Sequence, residues 1–180
     1  MKRLGILVLI SGLLAGCGYH FRPTGEPVGI SIDSLAIPLF RSTSVEKGFE
    51  AVFTKVLREE FASHGKVPLV PEEKAQYLLT GRVYDIWTDP VSYSFQEQTV
   101  RGHPSIYEET NRRRLRLRVE VSLVERETGR VVWHEKAMET RTSFELTSDP
   151  LQSRYEEDLA LEKIARRLAK RIYMMTMERF

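Results

Sequence analysis

The chain has 180 residues, 27 Lys and Arg against 25 Asp and Glu, and one cysteine. That length holds one domain with a substantial core and is too short for two comfortable ones. Near-balanced charge excludes a generic polyanion binder, and a lone cysteine excludes intrachain disulfides.

Met1-Lys2-Arg3 leads into an apolar run from Leu4 to Leu14, which closes on Leu14-Ala15-Gly16-Cys17. A basic start, a short apolar stretch and small residues before a cut are the layout of a secretory signal. The run is well below the roughly 20 apolar residues that a membrane-spanning helix needs. The sole cysteine directly after Leu-Ala-Gly resembles a bacterial lipobox, in which the cysteine is acylated on sulfur and becomes the first residue of the mature chain. A secreted protein with one unpaired thiol would be anomalous, and lipidation removes the anomaly. Residues 1–16 are therefore expected to be a signal peptide. Cys17 is the expected lipidation site, 17–29 the lipidated cysteine and flexible tether, and 30–180 the domain. Loss of Lys2 and Arg3 with the leader brings basic residues level with acidic ones. No other segment is apolar enough to cross a membrane, so the expectation is a water-soluble domain held by lipid.

Gly18, Pro23, Gly25, Pro27 and Gly29 punctuate the tether, which reaches at most about 40 Å when extended. Ile30 to Ile37 reads as one strand with a phase break at Asp33-Ser34, ended by Pro38. Thr43-Ser44-Val45-Glu46 has the form of a capping box and predicts a helix starting at Thr43. Phe49, Val52, Phe53, Val56, Leu57 and Phe61 recur at helical spacing, and Gly65 stands where a left-handed C-cap is expected.

Tyr77 to Trp87, rich in β-branched and aromatic residues, predicts the second strand. Thr88 to Thr110 contains Pro90, Gly102 and Pro104 along with Tyr93, Phe95 and Tyr107, and reads as a long irregular loop. The clearest strand is Arg114 to Val124. Leu115, Leu117, Val119, Val121 and Leu123 take one face, while Arg114, Arg116, Arg118, Glu120 and Ser122 take the wet one. Glu127 to Arg130 supplies a turn, and Val131-Val132-Trp133 opens a return strand to about Phe144. Asp149 and Pro150 cap a final helix. Its expected buried stripe is Leu151, Tyr155, Leu161, Ile164, Leu168, Ile172 and Met175. Lys163, Arg166, Arg167, Lys170 and Arg171 line the remainder.

The order β-α-β-β-β-α predicts an α+β two-layer sandwich, a mixed four-stranded sheet with two helices on one face.

Catalytic signatures are missing. His20, His64, His103 and His134 lack metal-ligand spacing to one another, and Met138 stands where a second zinc-binding histidine would follow His134-Glu135. Neither a nucleophile elbow nor a phosphate-cradling glycine loop occurs. The expectation is a protein without enzymatic activity, cofactor or metal. What stands out is Asn111 to Arg118. Strand alternation sets Arg112, Arg114, Arg116 and Arg118 side by side on the wet face, where planar guanidinium forks suit phosphates and carboxylates. The alternative is pairing with acids on neighbouring strands. Nucleic acid is a poor partner for an exported protein.

Several motifs together resemble the lipopolysaccharide-assembly lipoprotein family, LptE. They are Cys17-Gly18-Tyr19-His20-Phe21-Arg22, then Ala36-Ile37-Pro38-Leu39-Phe40 followed by Ser42-Thr43 and a helix. The strand ending near Trp87, the hairpin through Thr128-Gly129 into Val132-Trp133, and the terminal helix complete the order. The resemblance implies a non-enzymatic, lipid-anchored outer-membrane lipoprotein. It would plug and help assemble an LptD-like outer-membrane β-barrel and contact lipopolysaccharide, whose phosphates and acidic sugars suit an arginine face. Gly18 after the cysteine agrees with outer-membrane sorting. The alternative is an accessory lipoprotein of another envelope transport or cell-wall complex that does not bind lipopolysaccharide.

Overall fold

The computed structural model describes residues 31–44, 46–100 and 103–178. The signal peptide, Cys17, the tether with His20, and Ile30 lie outside the described residues, as do Val45 and Gly102. The elements are β1 (Leu35–Ala36), β2 (Arg41–Ser42), α1 (Phe49–His64), β3 (Tyr77–Val100), β4 (His103–Glu125), β5 (Val131–Glu145) and α2 (Pro150–Glu178), with a 3-10 turn at Glu72–Lys74.

The sheet runs β1-β3-β4-β5, and β2 also pairs with β3. Both short strands lie parallel to β3, Leu35 opposite Tyr77 and Arg41 opposite Arg82, while β3, β4 and β5 form an antiparallel meander. The expected α+β fold with a mixed sheet is what forms, with one strand more than expected. Of the single strand expected over Ile30 to Ile37, the described part from Ser31 pairs only at Leu35–Ala36, and the chain returns to the sheet edge at β2.

Helix α1 starts six residues later than its apparent capping box. Thr43 is taken by the sheet: its backbone N–H donates to the Val83 carbonyl at 2.9 Å, and its hydroxyl donates to the Tyr84 carbonyl at 3.2 Å. Gly48 instead precedes the first turn with φ 91°, and its N–H donates to the Glu50 carboxylate at 3.1 Å. A left-handed backbone of this kind suits glycine. The far end matches expectation: Gly65 takes φ 60° and its N–H donates to the Ala62 carbonyl. The stripe is core except for Val52, which is 47% exposed.

Leu115, Leu117, Val119, Val121 and Leu123 are fully buried, as alternation requires, against Leu79 and Val83 of β3 and against the helices. Phe53, Leu57 and Phe61 of α1 and Ile164, Leu168 and Ile172 of α2 complete this layer. Asp149 accepts the Leu151 N–H at 2.9 Å, so the expected cap is made. Leu151 and Tyr155, however, are 82% and 59% exposed, and do not join the buried stripe. An i, i+4 row slips around a helix of 3.6 residues per turn, which carries Leu151, Tyr155 and Leu159 away from the row that faces the sheet.

The expected loop from Thr88 to Thr110 is instead a continuation of the sheet. β3 runs on to Val100 and pairs with β4 from His103, so Tyr93 sits opposite Thr110 and Val100 opposite His103. β5 ends at Glu145 opposite Arg112, and beyond that point β3 and β4 project as a two-stranded ribbon about 25 Å long. Pro90 borders a register shift and Pro104 is the second residue of β4. Both are places where a strand tolerates proline. Tyr93, Phe95 and Ile106 are exposed on this ribbon, the last two at 71% and 73%. The Tyr107 side chain lies outside the described set.

Candidate functional site

The wet face of the sheet is built by register. A shift at Tyr84 places one extra residue on β3, so the core side chains change from Leu79 and Val83 to Ile86. The opposite face correspondingly presents Asp85, Trp87 and Asp89, which stand across from Arg118, Arg116 and Arg114 of β4. On the other flank, Glu145, Ser143, Arg141 and Glu139 of β5 stand across from Arg112, Arg114, Arg116 and Arg118. The four arginines are brought together as expected, in a row between two strands that both carry acids.

Three of the four are paired. Arg112 donates to Glu145 at 2.9 Å. Arg116 Nε lies 2.9 Å from Asp89 Oδ2, but its N–H is not aimed at that oxygen, which leaves an ion pair without a directed hydrogen bond. Arg118 sits 3.7 Å from Asp85 and 3.6 Å from Glu139. The guanidinium carbons of Arg116 and Arg118 also lie 5.9 and 5.4 Å from the Trp87 ring centroid, within reach of cation–π attraction. Arg114 has no ion pair among the described residues. Partly exposed pairs of this length are weak, roughly 0–1 kcal/mol each, so an anion with several oxygens can compete for the donors. Trp87, Asp85 and Arg118 together with Thr43 and Ser44 line a shallow cleft of about 310 Å³ at this edge. Arg113 points the other way and donates to the Thr88 carbonyl at 3.3 Å.

A second cluster adjoins the row, one that spacing along the chain does not reveal. Glu120 accepts from the Tyr84 hydroxyl at 2.5 Å and lies 2.8 Å from His134 Nε2, while Arg82 stacks over the Tyr84 ring at 5.5 Å. It forms where both neighbouring strands shift register, β3 at Tyr84 and β5 between Glu135 and Met138. The Tyr84 bond, with a smaller contribution from His134, holds the Glu120 carboxyl below its ordinary range. A depressed carboxyl stabilises the fold above its unfolded pKa, and that contribution fades as pH falls through the folded value. Tyr84→Phe is expected to lessen the loss of melting temperature between about pH 5 and pH 3. Identical melting profiles for the two proteins across that range would count against the cluster.

Among the described residues, no helix is long and apolar enough to cross a membrane, and no three His, Cys, Asp or Glu side chains are grouped to hold a metal.

Comparison with known proteins adds the family. A family model described as LptE, lipopolysaccharide-assembly, matches residues 32–176, most of the chain and all of the sheet and both helices up to the last turn. The chain belongs to the LptE family. Membership places this LptE-family chain among membrane-associated lipoproteins of lipopolysaccharide assembly. No curated protein sequence matches it. Solved structures share the fold at low identity. An uncharacterized lipoprotein B from Nitrosomonas europaea superposes with a TM-score of 0.52 at 10% identity, over 89% of this chain and 90% of its own. A protein from Xanthomonas campestris gives 0.51 at 12%, over 82% and 85%. The rare lipoprotein B of Shewanella oneidensis gives 0.46 at 16%, over 78% and 92%.

Proposed function

We propose that this LptE-family chain is a non-catalytic outer-membrane lipoprotein, anchored through Cys17, that plugs and helps assemble an LptD-like β-barrel and meets lipopolysaccharide on its arginine face. Family membership over residues 32–176 carries the reading. The row Arg112, Arg114, Arg116 and Arg118 supports the contact with lipopolysaccharide, because Arg114 has no ion pair among the described residues, Arg116 and Arg118 are held only by undirected or long pairs, and all four reach solvent. Phosphates offer charge-assisted, bidentate bonds that the long pairs with Asp85 and Glu139 do not. The projecting ribbon, with Phe95 and Ile106 uncovered, supplies surface for a large partner.

Arg114→Gln combined with Arg118→Gln is expected to weaken lipopolysaccharide binding by about tenfold or more, since hydrogen bonds to charged groups contribute about 1.5–3 kcal/mol each. Binding by the unaltered protein should also fall as salt rises. Isothermal titration at two salt concentrations checks both, with a thermal melt to confirm that the variant folds. Undiminished binding would move the contact off this face.

Anchoring has its own test. Stable attachment takes two or more lipid signals, at about 0.8 kcal/mol per buried CH₂. Cys17→Ser is therefore expected to leave the protein unprocessed or released into the soluble fraction. Normal acyl labelling and membrane fractionation of this variant would remove Cys17 from the account.

A further inference from the structure

We infer that the cleft beside Trp87 is a saccharide subsite that holds one acidic pyranose ring, a task distinct from the phosphate contacts further along the arginine row. The inference rests on the lipopolysaccharide reading only for the source of that sugar.

The cleft exists because β2 stops early. β2 pairs with β3 only through Arg41 and Ser42, opposite Arg82 and Val83. Beyond that point β3 has no strand on this flank among the described residues, and the backbone groups of such an edge are open to a ligand. Thr43 and Ser44 continue past the end of β2, with Thr43 held against β3 by its bonds to the Val83 and Tyr84 carbonyls. β4 pairs on the opposite flank and brings Arg116 and Arg118 there. Trp87, partly exposed, stands on the strand between the two sides and lines the cleft with Asp85, Arg118, Thr43 and Ser44.

An acidic pyranose asks for a flat apolar surface, for partners to its hydroxyls and for a cation. All three meet here. The face of an indole carries negative charge density and attracts the weakly positive C–H hydrogens of a sugar ring. The guanidinium groups 5.9 and 5.4 Å from its centroid steady the indole. Asp85 and Arg118 lie 3.7 Å apart, too far for a direct hydrogen bond. The Arg118 pair with Glu139 is as long, at 3.6 Å. Arg118 therefore keeps donors for a sugar carboxylate, and Asp85 keeps lone pairs for sugar hydroxyls.

That mixed lining selects the ligand. A bare phosphate in the cleft would be drawn to Arg118 and repelled by Asp85 at once. An acidic sugar carries hydroxyls beside its carboxylate, and these turn Asp85 from an opponent into an acceptor. A volume of about 310 Å³ stands at the small end of ligand sites, room for a single ring.

The test uses the full chain in an alkyl polyoxyethylene detergent, which has no sugar of its own. The probes are the methyl glycosides of glucuronic and galacturonic acids, methyl glucoside, and inorganic phosphate. Saturation-transfer NMR with irradiation of the aromatic protons is expected to mark the ring hydrogens of the acidic glycosides strongly and those of the glucoside weakly. Trp87→Leu should weaken acidic-glycoside binding about fivefold or more and abolish the transfer, while a cooperative melt confirms its fold. Arg118→Gln should bring the acidic glycosides down to the affinity of the neutral one. In a second measurement, Trp133→Phe leaves Trp87 the sole indole, whose emission should shift with the acidic glycosides and not with phosphate. Acidic glycosides that fail to bind overturn the inference. So does binding that Trp87→Leu leaves intact, or phosphate that reproduces the emission shift, which would make the cleft a plain anion site. Lipopolysaccharide should displace the bound glycoside. A glycoside that binds through Trp87 but is not displaced would leave a sugar site standing and overturn its assignment to lipopolysaccharide, together with the reading on which that assignment rests.

Discussion

Phe53→Ala is expected to destabilise the domain by about 3–5 kcal/mol, the usual cost of deleting a buried phenylalanine ring. Phe53 is fully buried in the second turn of α1 and meets Phe40 edge to face at 5.3 Å and Phe49 in a stack at 6.1 Å. Such aromatic contacts add about 0.5–1.5 kcal/mol beyond the buried area. The space would not close readily, because the segment carrying Phe40 is pinned separately: its N–H donates to the Thr54 hydroxyl at 3.0 Å, and Thr54 in turn donates to the Glu50 carbonyl at 2.6 Å. Denaturant unfolding of the domain reads the loss as a lower midpoint at unchanged slope. A near-neutral result would mean that the stripe of α1 packs less tightly than its burial indicates.

Gly81→Ala should produce the other large effect. Gly81 lies on β3 opposite Val121, and a Cβ there would meet the Glu120 backbone carbonyl and the Phe40 ring at once. The carbonyl belongs to the β4 ladder and cannot rotate away, so the strands must part or Phe40 must leave its place. Overpacking of a filled site costs about 1–3 kcal/mol and occasionally more, and here the added atom also strains backbone pairing. Gly129→Ala, by contrast, meets open space and pays only for its left-handed backbone, φ 69°. A melting temperature for Gly81→Ala as high as that of Gly129→Ala would contradict the packing described around Phe40.

Phe53 lies where the sequence is readable, and Gly81 where it is not. The phenylalanine stripe of α1, the alternation of β4, the Thr128-Gly129 turn and the Asp149 cap each depend on neighbours within a few residues, and local chemistry is enough to find them. The departures arise where distant pairing prevails. Thr43 looks like an N-cap until the sheet edge supplies Val83 and Tyr84 carbonyls, 40 residues away, as better partners. Pro90 and Pro104 read as breakers, yet each sits where a long strand accommodates it. Leu151 and Tyr155 look like core because nothing local reveals that α2 has turned their row outward.

The candidate site divides in the same way. Placing Arg112, Arg114, Arg116 and Arg118 on one face follows from period two alone. Their carboxylate partners do not, since Asp85 and Asp89 reach that face only because of the register shift at Tyr84. The Tyr84–Glu120–His134 cluster joins three strands and leaves no trace in any one of them. Cys17 remains a reading of the sequence.

The central claim, that this domain works inside an outer-membrane barrel, is tested most directly by in-cell photo-crosslinking. A benzophenone amino acid placed at Phe95 on the exposed ribbon, in the full chain expressed in its native envelope, should trap a single large β-barrel protein that co-fractionates with the outer membrane. Crosslinks confined to inner-membrane or cell-wall proteins, with no barrel among them, would contradict the account and favour an accessory role in another envelope complex.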